Sequence, residues 1–329
     1  MTDLSKGRRS PDRPQPTDDD NLRLTGSAPP LGMGAKGPLH GVAMRRCEIA
    51  NHPQFFSAEK QIAVVLLDVQ TANPRMARLL ASYRKWLVTH ACFALSMRGR
   101  FAPGDIGLTP GRLHEVLRPH VKVNRNTLSL YMSELAAYGF LNWLDDREDA
   151  RLHPATTTEL AETGMQLWCR GHLRCLDLLD GGNRDEVAGE DTDILFRAQS
   201  RMLELILNDH EWLNPPPSMA HFLSSDVGGL LLHYLISKLT TLEAPEGRIL
   251  LEPISIAALA ERFLISVSNV KRMIHKAELD GLLGWEHPRR RGCLWVTSDF
   301  VRDHFRRQAV KFEMVDRALR ETVAADAGR

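Results

Sequence analysis

The chain has 329 residues, 43% of them apolar and 25% charged, which is the composition of a globular protein long enough for two domains. A formal charge of +1 excludes a uniformly basic nucleic-acid coat, so any polyanion-binding surface has to be a local patch. The five cysteines, at 47, 92, 169, 175 and 293, are odd in number and scattered, which predicts reduced thiols in a cytoplasmic protein.

Residues 1–52 are rich in Pro, Gly, Asp and Arg and read as a disordered arm, because too little apolar surface is present to offset chain entropy. The opening MTDLSKGRRSPDRP lacks the apolar core of a secretory signal. GMGAKG at 32–37 is glycine-rich but has neither a preceding strand nor Walker spacing, so no nucleotide cofactor is expected. The apolar run Ile62–Leu67 is far shorter than the roughly 20 residues of a membrane span.

A first domain is expected over 53–180. It opens with a helix near 57–70 and a longer one near 75–98, entered at Pro74. Thr109-Pro110 then starts a helix carrying Leu113, Val116 and Leu117. Asn124 caps another with Leu128, Tyr131, Met132 and Leu135 facing inward, and Gly139 stops it. A hairpin follows, from Leu141–Leu144 through DDREDA to Arg151–His153. Cys169, His172 and Cys175 have a superficially metal-like spacing, but i, i+3 and i+6 on one helix diverge and cannot close a tetrahedral site, so no metal is expected.

GGNRDEVAGEDTD at 181–193 reads as a linker to a second domain over 194–329, with helices near 193–210 and 218–240. The clearest local signal is SIAALAERFLISVSNVKRMIHKAELDGLLGW at 255–285. Ser255 caps a helix with Ile256, Leu259, Ala260 and Phe263 on one face. A turn spans Leu264–Ser266, and Ser266 caps a second helix whose inward positions are Val270, Met273, Ile274 and Ala277. Gly281 ends it. Leu282–Trp285 and Cys293–Val296 then form a hairpin around Pro288–Gly292.

The two halves repeat one another. PRMARLLAS at 74–82 and PSMAHFLSS at 217–225 share five of nine positions; at the same offset Leu87 meets Leu230 and His90 meets His233. One residue less aligns Gly139 with Gly281, Trp143 with Trp285, Leu128 with Val270, Met132 with Ile274 and Asn124 with Ser266. Matches in order at near-constant spacing indicate an internal duplication. A histidine shared across the repeat is expected to serve the core or an interface.

Two helices on a short turn followed by a hairpin resemble the winged-helix family. The pattern L-A-E-R-F-x-x-S-x-x-x-V-x-x-x-I…D-G-L-L is similar in particular to the multiple-antibiotic-resistance regulator (MarR) family of bacterial regulators. The resemblance covers about 45 residues of the second half; Pro119 departs from it in the first. It implies a mainly α fold with small β-hairpin wings, in two tandem units with flanking helices. It also implies double-stranded DNA as partner, with a small-molecule effector and a homodimer or other protein contact through the flanking helices left open.

The expected DNA-binding residues of the second half are Ser268, Asn269, Lys271, Arg272, His275 and Lys276 on the helix, and Arg289, Arg290 and Arg291 at the hairpin tip. Those of the first half are Arg125, Asn126, Thr127, Ser129 and Ser133. Residues 268–297 carry a net +3, whereas 124–155 carry −2, so the second half is expected to anchor on phosphate. No nucleophile elbow, zinc motif or paired-carboxylate context is present, which argues for recognition rather than catalysis. Two other readings are a plasmid-type replication initiator with tandem winged helices and a winged-helix protein-interaction module.

Overall fold

The helices begin where short polar side chains hold the first free amides. In the computed structural model, which describes residues 38–72, 82–144 and 153–328, Ser82, Thr109, Asn124 and Thr158 each accept a bond from the backbone amide three residues on. The first half comprises α1 (Arg46–Ala50), α2 (Phe55–Ala72), α3 (Tyr83–Phe101), α4 (Pro110–Leu117), α5 (Arg125–Ala137), β1 (Leu141–Trp143), β2 (Ala155–Thr157) and α6 (Glu159–Asp180). After α7 (Arg184–Glu190), the second comprises α8 (Thr192–Asn208), α9 (His210–Leu213), α10 (Pro217–Leu223), α11 (Gly228–Ser237) and β3 (Arg248–Leu250). It continues through α12 (Ile256–Arg262), α13 (Val267–Leu279), β4 (Leu283–His287), β5 (Arg291–Thr297) and α14 (Ser298–Ala327). The protein is mainly helical, with β1 antiparallel to β2 and a small antiparallel sheet in the order β3-β5-β4.

Two places in the fold share individual backbone bonds. Gly139 (φ 76°) and Gly281 (φ 69°) take the left-handed conformation after α5 and α13, which glycine adopts without a Cβ penalty. In both places the next amide reaches back to the helix, Phe140 to Leu135 O and Leu282 to Ala277 O, each at 2.9 Å. Those same two residues accept from the caps of α6 and α14: Thr158 N to Phe140 O at 3.2 Å and Thr297 N to Leu282 O at 2.9 Å.

Three expected elements differ. The helix placed near 75–98 has a start at Ser82, whose extended backbone caps Tyr83; Pro74 and most of PRMARLLAS lie outside the described residues. The helix placed near 218–240 is two, α10 and α11. A Cβ at Gly228 would sit 1.7 Å from Phe222 O, so the chain turns sharply there, and Ser225 Oγ bonds Phe222 O in the gap. The first hairpin has a strand at Ala155–Thr157, after Pro154, which has no amide to pair, and His153, at φ 46°; Arg151 and Leu152 of the expected strand lie outside the described residues. DDREDA, Arg147 and Arg151 fall outside the described residues.

Packing crosses between the halves. α3 lies against α8, and α11 lies against α2; α6 covers α2 as α14 covers α8. α2 and α8 bury matching positions: Phe55 and Leu195, Ala58 and Ala198, Glu59 and Gln199, Ile62 and Met202, Leu67 and Leu207 are all buried. Residues 36–329 accordingly form one compact unit that includes both halves. The stretch read as a linker is part of it. Arg184 of α7 is fully buried and spends its guanidinium on Asp316 (2.6 Å), Asp180 (2.7 and 2.8 Å), Asp177 (3.0 Å) and Val42 O (2.8 Å). Ordered structure also begins before residue 53, since α1 packs on α14 through Arg46, paired with Asp209, Glu211 and Glu313.

The two histidines matched by the repeat lie at this crossing. His90 is buried, with Gln199 Nε2 3.0 Å from its Nδ1. His233 faces His304, which bonds Glu59 Oε1 at 3.0 Å. Burial pushes His90 down to about 3, and His172 and His233 well below their ordinary value, with Lys311 adding to each shift.

Two outcomes follow from this core. Arg184→Met leaves three carboxylates without their shared cation and is expected to lower the unfolding free energy by about 3–5 kcal/mol in urea titrations; a change under about 1 kcal/mol contradicts the buried network. The histidines stay neutral in the fold while the unfolded chain protonates near pH 6.5, so stability is full above that pH and is lost as pH falls toward the folded value. Urea midpoints are expected to drop between about pH 7 and about pH 5, and a flat profile there contradicts the assignment.

Candidate nucleic-acid interface

The second half assembles its unit from local signals. Ser255 Oγ accepts from Ala258 N at 3.2 Å, and Ser266 Oγ from Asn269 N at 3.2 Å, so α12 and α13 start where the two serines stand. Leu264 turns the chain between them at φ 52°. α13 buries Val270, Met273, Ile274 and Ala277, which leaves Ser268, Lys271, Arg272, His275 and Lys276 exposed on the other face. Asn269 is half-buried and accepts from Arg272 Nη2 at 2.8 Å, which props the guanidinium along the helix.

The hairpin β4–β5 carries Arg289, Arg290 and Arg291, all exposed. Arg290 reaches back to α13 and bonds Glu278 Oε2 at 2.7 Å, an oxygen that also lies 3.3 Å from His275 Nδ1. This contact joins the tip to the end of the helix, so the predicted residues of the second half share one basic surface. Among the described residues, Arg289 and Arg291 have no carboxylate partner. Arg289 and Arg290 also hold left-handed backbone, φ 62° and 60°, which costs a side-chain-bearing residue energy that glycine avoids.

The first half presents Arg125, Asn126, Thr127 and Ser133 exposed on α5 and Ser129 half-buried. Its face is chemically different. Where α13 has Lys271, Arg272, His275 and Lys276, the matching positions of α5 hold Ser129, Leu130, Ser133 and Glu134. Leu130 is 73% exposed, an apolar side chain at the centre of that face. Two cations missed by sequence reasoning, Arg118 and Lys122, are exposed in the turn before α5. That turn runs over residues 118–124, longer than the second half's turn at 263–266, and a motif read as two helices with a short connection hides it. The acidic hairpin turn of the first half lies outside the described residues.

No known protein family, curated protein or solved structure matches this chain. No helix is long and apolar enough to cross a membrane, and no group of metal-binding side chains occurs among the described residues. Cys169, His172 and Cys175 are buried on α6 but spend themselves separately: Cys175 Sγ donates to Ala58 O, and His172 Nδ1 lies 2.7 Å from Trp168 O.

The strained tip generates one prediction. Arg289→Gly removes an exposed charge and relieves a left-handed side-chain residue, so it is expected to leave unfolding free energy unchanged or raise it by up to about 1 kcal/mol in urea. A loss of more than about 1 kcal/mol shows instead that Arg289 holds the hairpin together.

Proposed function

We propose that the chain is a sequence-specific double-stranded DNA-binding protein, a transcriptional regulator that uses two winged helix-turn-helix units in one chain as a pseudo-dimer. The observation that carries this reading is the exposed row Ser268, Lys271, Arg272, His275 and Lys276 on α13, flanked by the arginine tip of β4–β5. A helix of this width enters the major groove, with Lys and Arg suited to guanine or phosphate and Asn269 to adenine. The tip arginines lie on the backbone or minor groove, where a guanidinium gains most from phosphate. Backbone strain at Arg289 and Arg290 supports a role for their charge, because glycine would fold the same turn at less cost.

The halves act unequally in this proposal. The second is the electrostatic anchor, and the first contributes through Arg118, Lys122 and the start of α5 or through its apolar Leu130. Crossed packing fixes the two units in one body: Arg262 of α12 donates to Leu67 O of α2 at 3.1 Å, and Gln70 of α2 donates to Arg262 O at 2.8 Å. A replication initiator shares this architecture and is separated from a regulator by its target, iterated origin repeats rather than a single promoter site.

Binding of a labelled random 40-base-pair duplex, followed by fluorescence anisotropy over a salt series, tests the reading. Affinity is expected to fall steeply with salt, and Lys271→Ala or Arg291→Ala each to flatten the log–log slope by about 0.9. Lys271→Ala and Arg290→Ala are expected to weaken binding more than Arg147→Ala and Arg151→Ala. Salt-independent binding, or the reverse order of variants, overturns the proposal.

A further inference from the structure

A cavity of about 230 Å³ lies where the two halves cross, larger than the roughly 150 Å³ that holds a benzene ring. Its walls contain residues from corresponding positions of both halves: His90 and His233, Trp86 and Gly229, Trp168 and Arg307. The last pair follows from the matched caps Thr158 and Thr297, ten residues before each. The cavity thus sits between the repeats, and one molecule inside it touches both.

Corresponding positions of the two halves differ chemically here, and cations and rings meet: the Arg307 guanidinium lies 4.0 Å from the Trp212 ring centroid and 5.1 Å from that of Tyr83. Trp86 and Trp168 stand with ring centroids 6.1 Å apart, and Trp212 lies 5.5 Å from Trp86; these are half of the chain's six tryptophans. In the second half, Gly229 takes the place of Trp86 and opens space, while Arg307 and Lys311 take the places of Trp168 and His172. Arg307 is 5% exposed and Lys311 4%. Arg307 Nη1 donates to Trp212 O at 2.8 Å, but its Nη2 has no partner, nor do Trp212 Nε1 and Gln308 Oε1. Lys311 rests on aromatic faces, its Nζ 6.0 Å from the Trp168 ring and 5.9 Å from Phe312.

Burying two cations without bonded carboxylates is costly to the fold. Glu59 is the buried carboxylate near Lys311, and its Oε1 is engaged with His304. Burial accordingly lowers both cations, Lys311 to about 8, and the neighbouring His90, His172 and His233 are held neutral. Spare donors nine-tenths buried, set beside aromatic rings at an open volume, describe a receptor for an anion on an apolar planar body.

We propose that this cavity binds one small organic carboxylate per chain, its carboxylate on Arg307 and Lys311 and its ring against Trp86 and Trp168. The site reaches toward both helix-turn-helix units, through Leu135 of α5 on one side and through Gln70, which bonds Arg262 O, on the other. The proposal stands whether or not the basic face seats on a duplex, since it concerns a different surface.

The test is calorimetry and tryptophan fluorescence on the full chain with benzoate, indole-3-acetate and 1-naphthoate, each beside its uncharged amide. At least one carboxylate is expected to bind with a stoichiometry of one and a Kd below about 1 mM, its amide roughly tenfold or more weaker. Lys311→Met is expected to cost the carboxylate roughly tenfold or more while leaving amide binding unchanged, and to unfold at an equal or higher urea concentration than the parent. Trp168→Leu, which spares both cations, is expected to weaken carboxylate and amide alike. Absence of binding by all three acids, equal affinity for acid and amide, or undiminished binding to Lys311→Met overturns the assignment.

Discussion

Each half of this chain covers its own helices only in part. α2 of the first half is roofed by α11 of the second, and α8 of the second by α3 of the first. An amphipathic helix is stable only when its apolar stripe is buried, so this reciprocal cover makes each half a condition for the other. In an oligomer such mutual cover is what a two-fold interface provides, each subunit giving and receiving the same contact. Here one chain provides both sides. Buried groups then secure the crossing, with Gln199 to His90 and Glu59 to His304.

Two segments of one chain are free to differ where two identical subunits are not. The backbone bonds around Gly139 and Gly281 are kept, as are the caps Thr158 and Thr297. The faces turned outward and the residues at the crossing are not kept. Lys271 and Arg272 stand opposite Ser129 and Leu130, and Arg307 stands opposite Trp168. Both proposed functions rest on this difference. A basic surface is built once, on α13, and aromatic and cationic side chains line one cavity together.

Local chemistry was legible in the sequence; long-range compensation was not. Ser255, Ser266, Gly139 and Gly281 act within a few residues of themselves, so the helix-turn-helix segments and their outward faces could be placed from spacing alone. Arg184 shows the opposite case. It stands in a glycine-rich acidic stretch that reads as a linker, yet Asp316, 132 residues away, and Val42, 142 residues away, complete its burial. The strand Ala155–Thr157 begins just after Pro154, whose missing amide has no pairing to give. The cavity had no sequence signature, since Trp86, Trp168 and Lys311 are far apart in the chain and each alone reads as an ordinary helix position.

Native-state hydrogen exchange on the whole chain tests the crossed packing most directly. If α2, α3, α8 and α11 form one cooperative core, their slowest amides will share a single opening free energy and a single dependence on denaturant. Two groups of amides with separate opening free energies, dividing the chain between α6 and α8, would contradict the account.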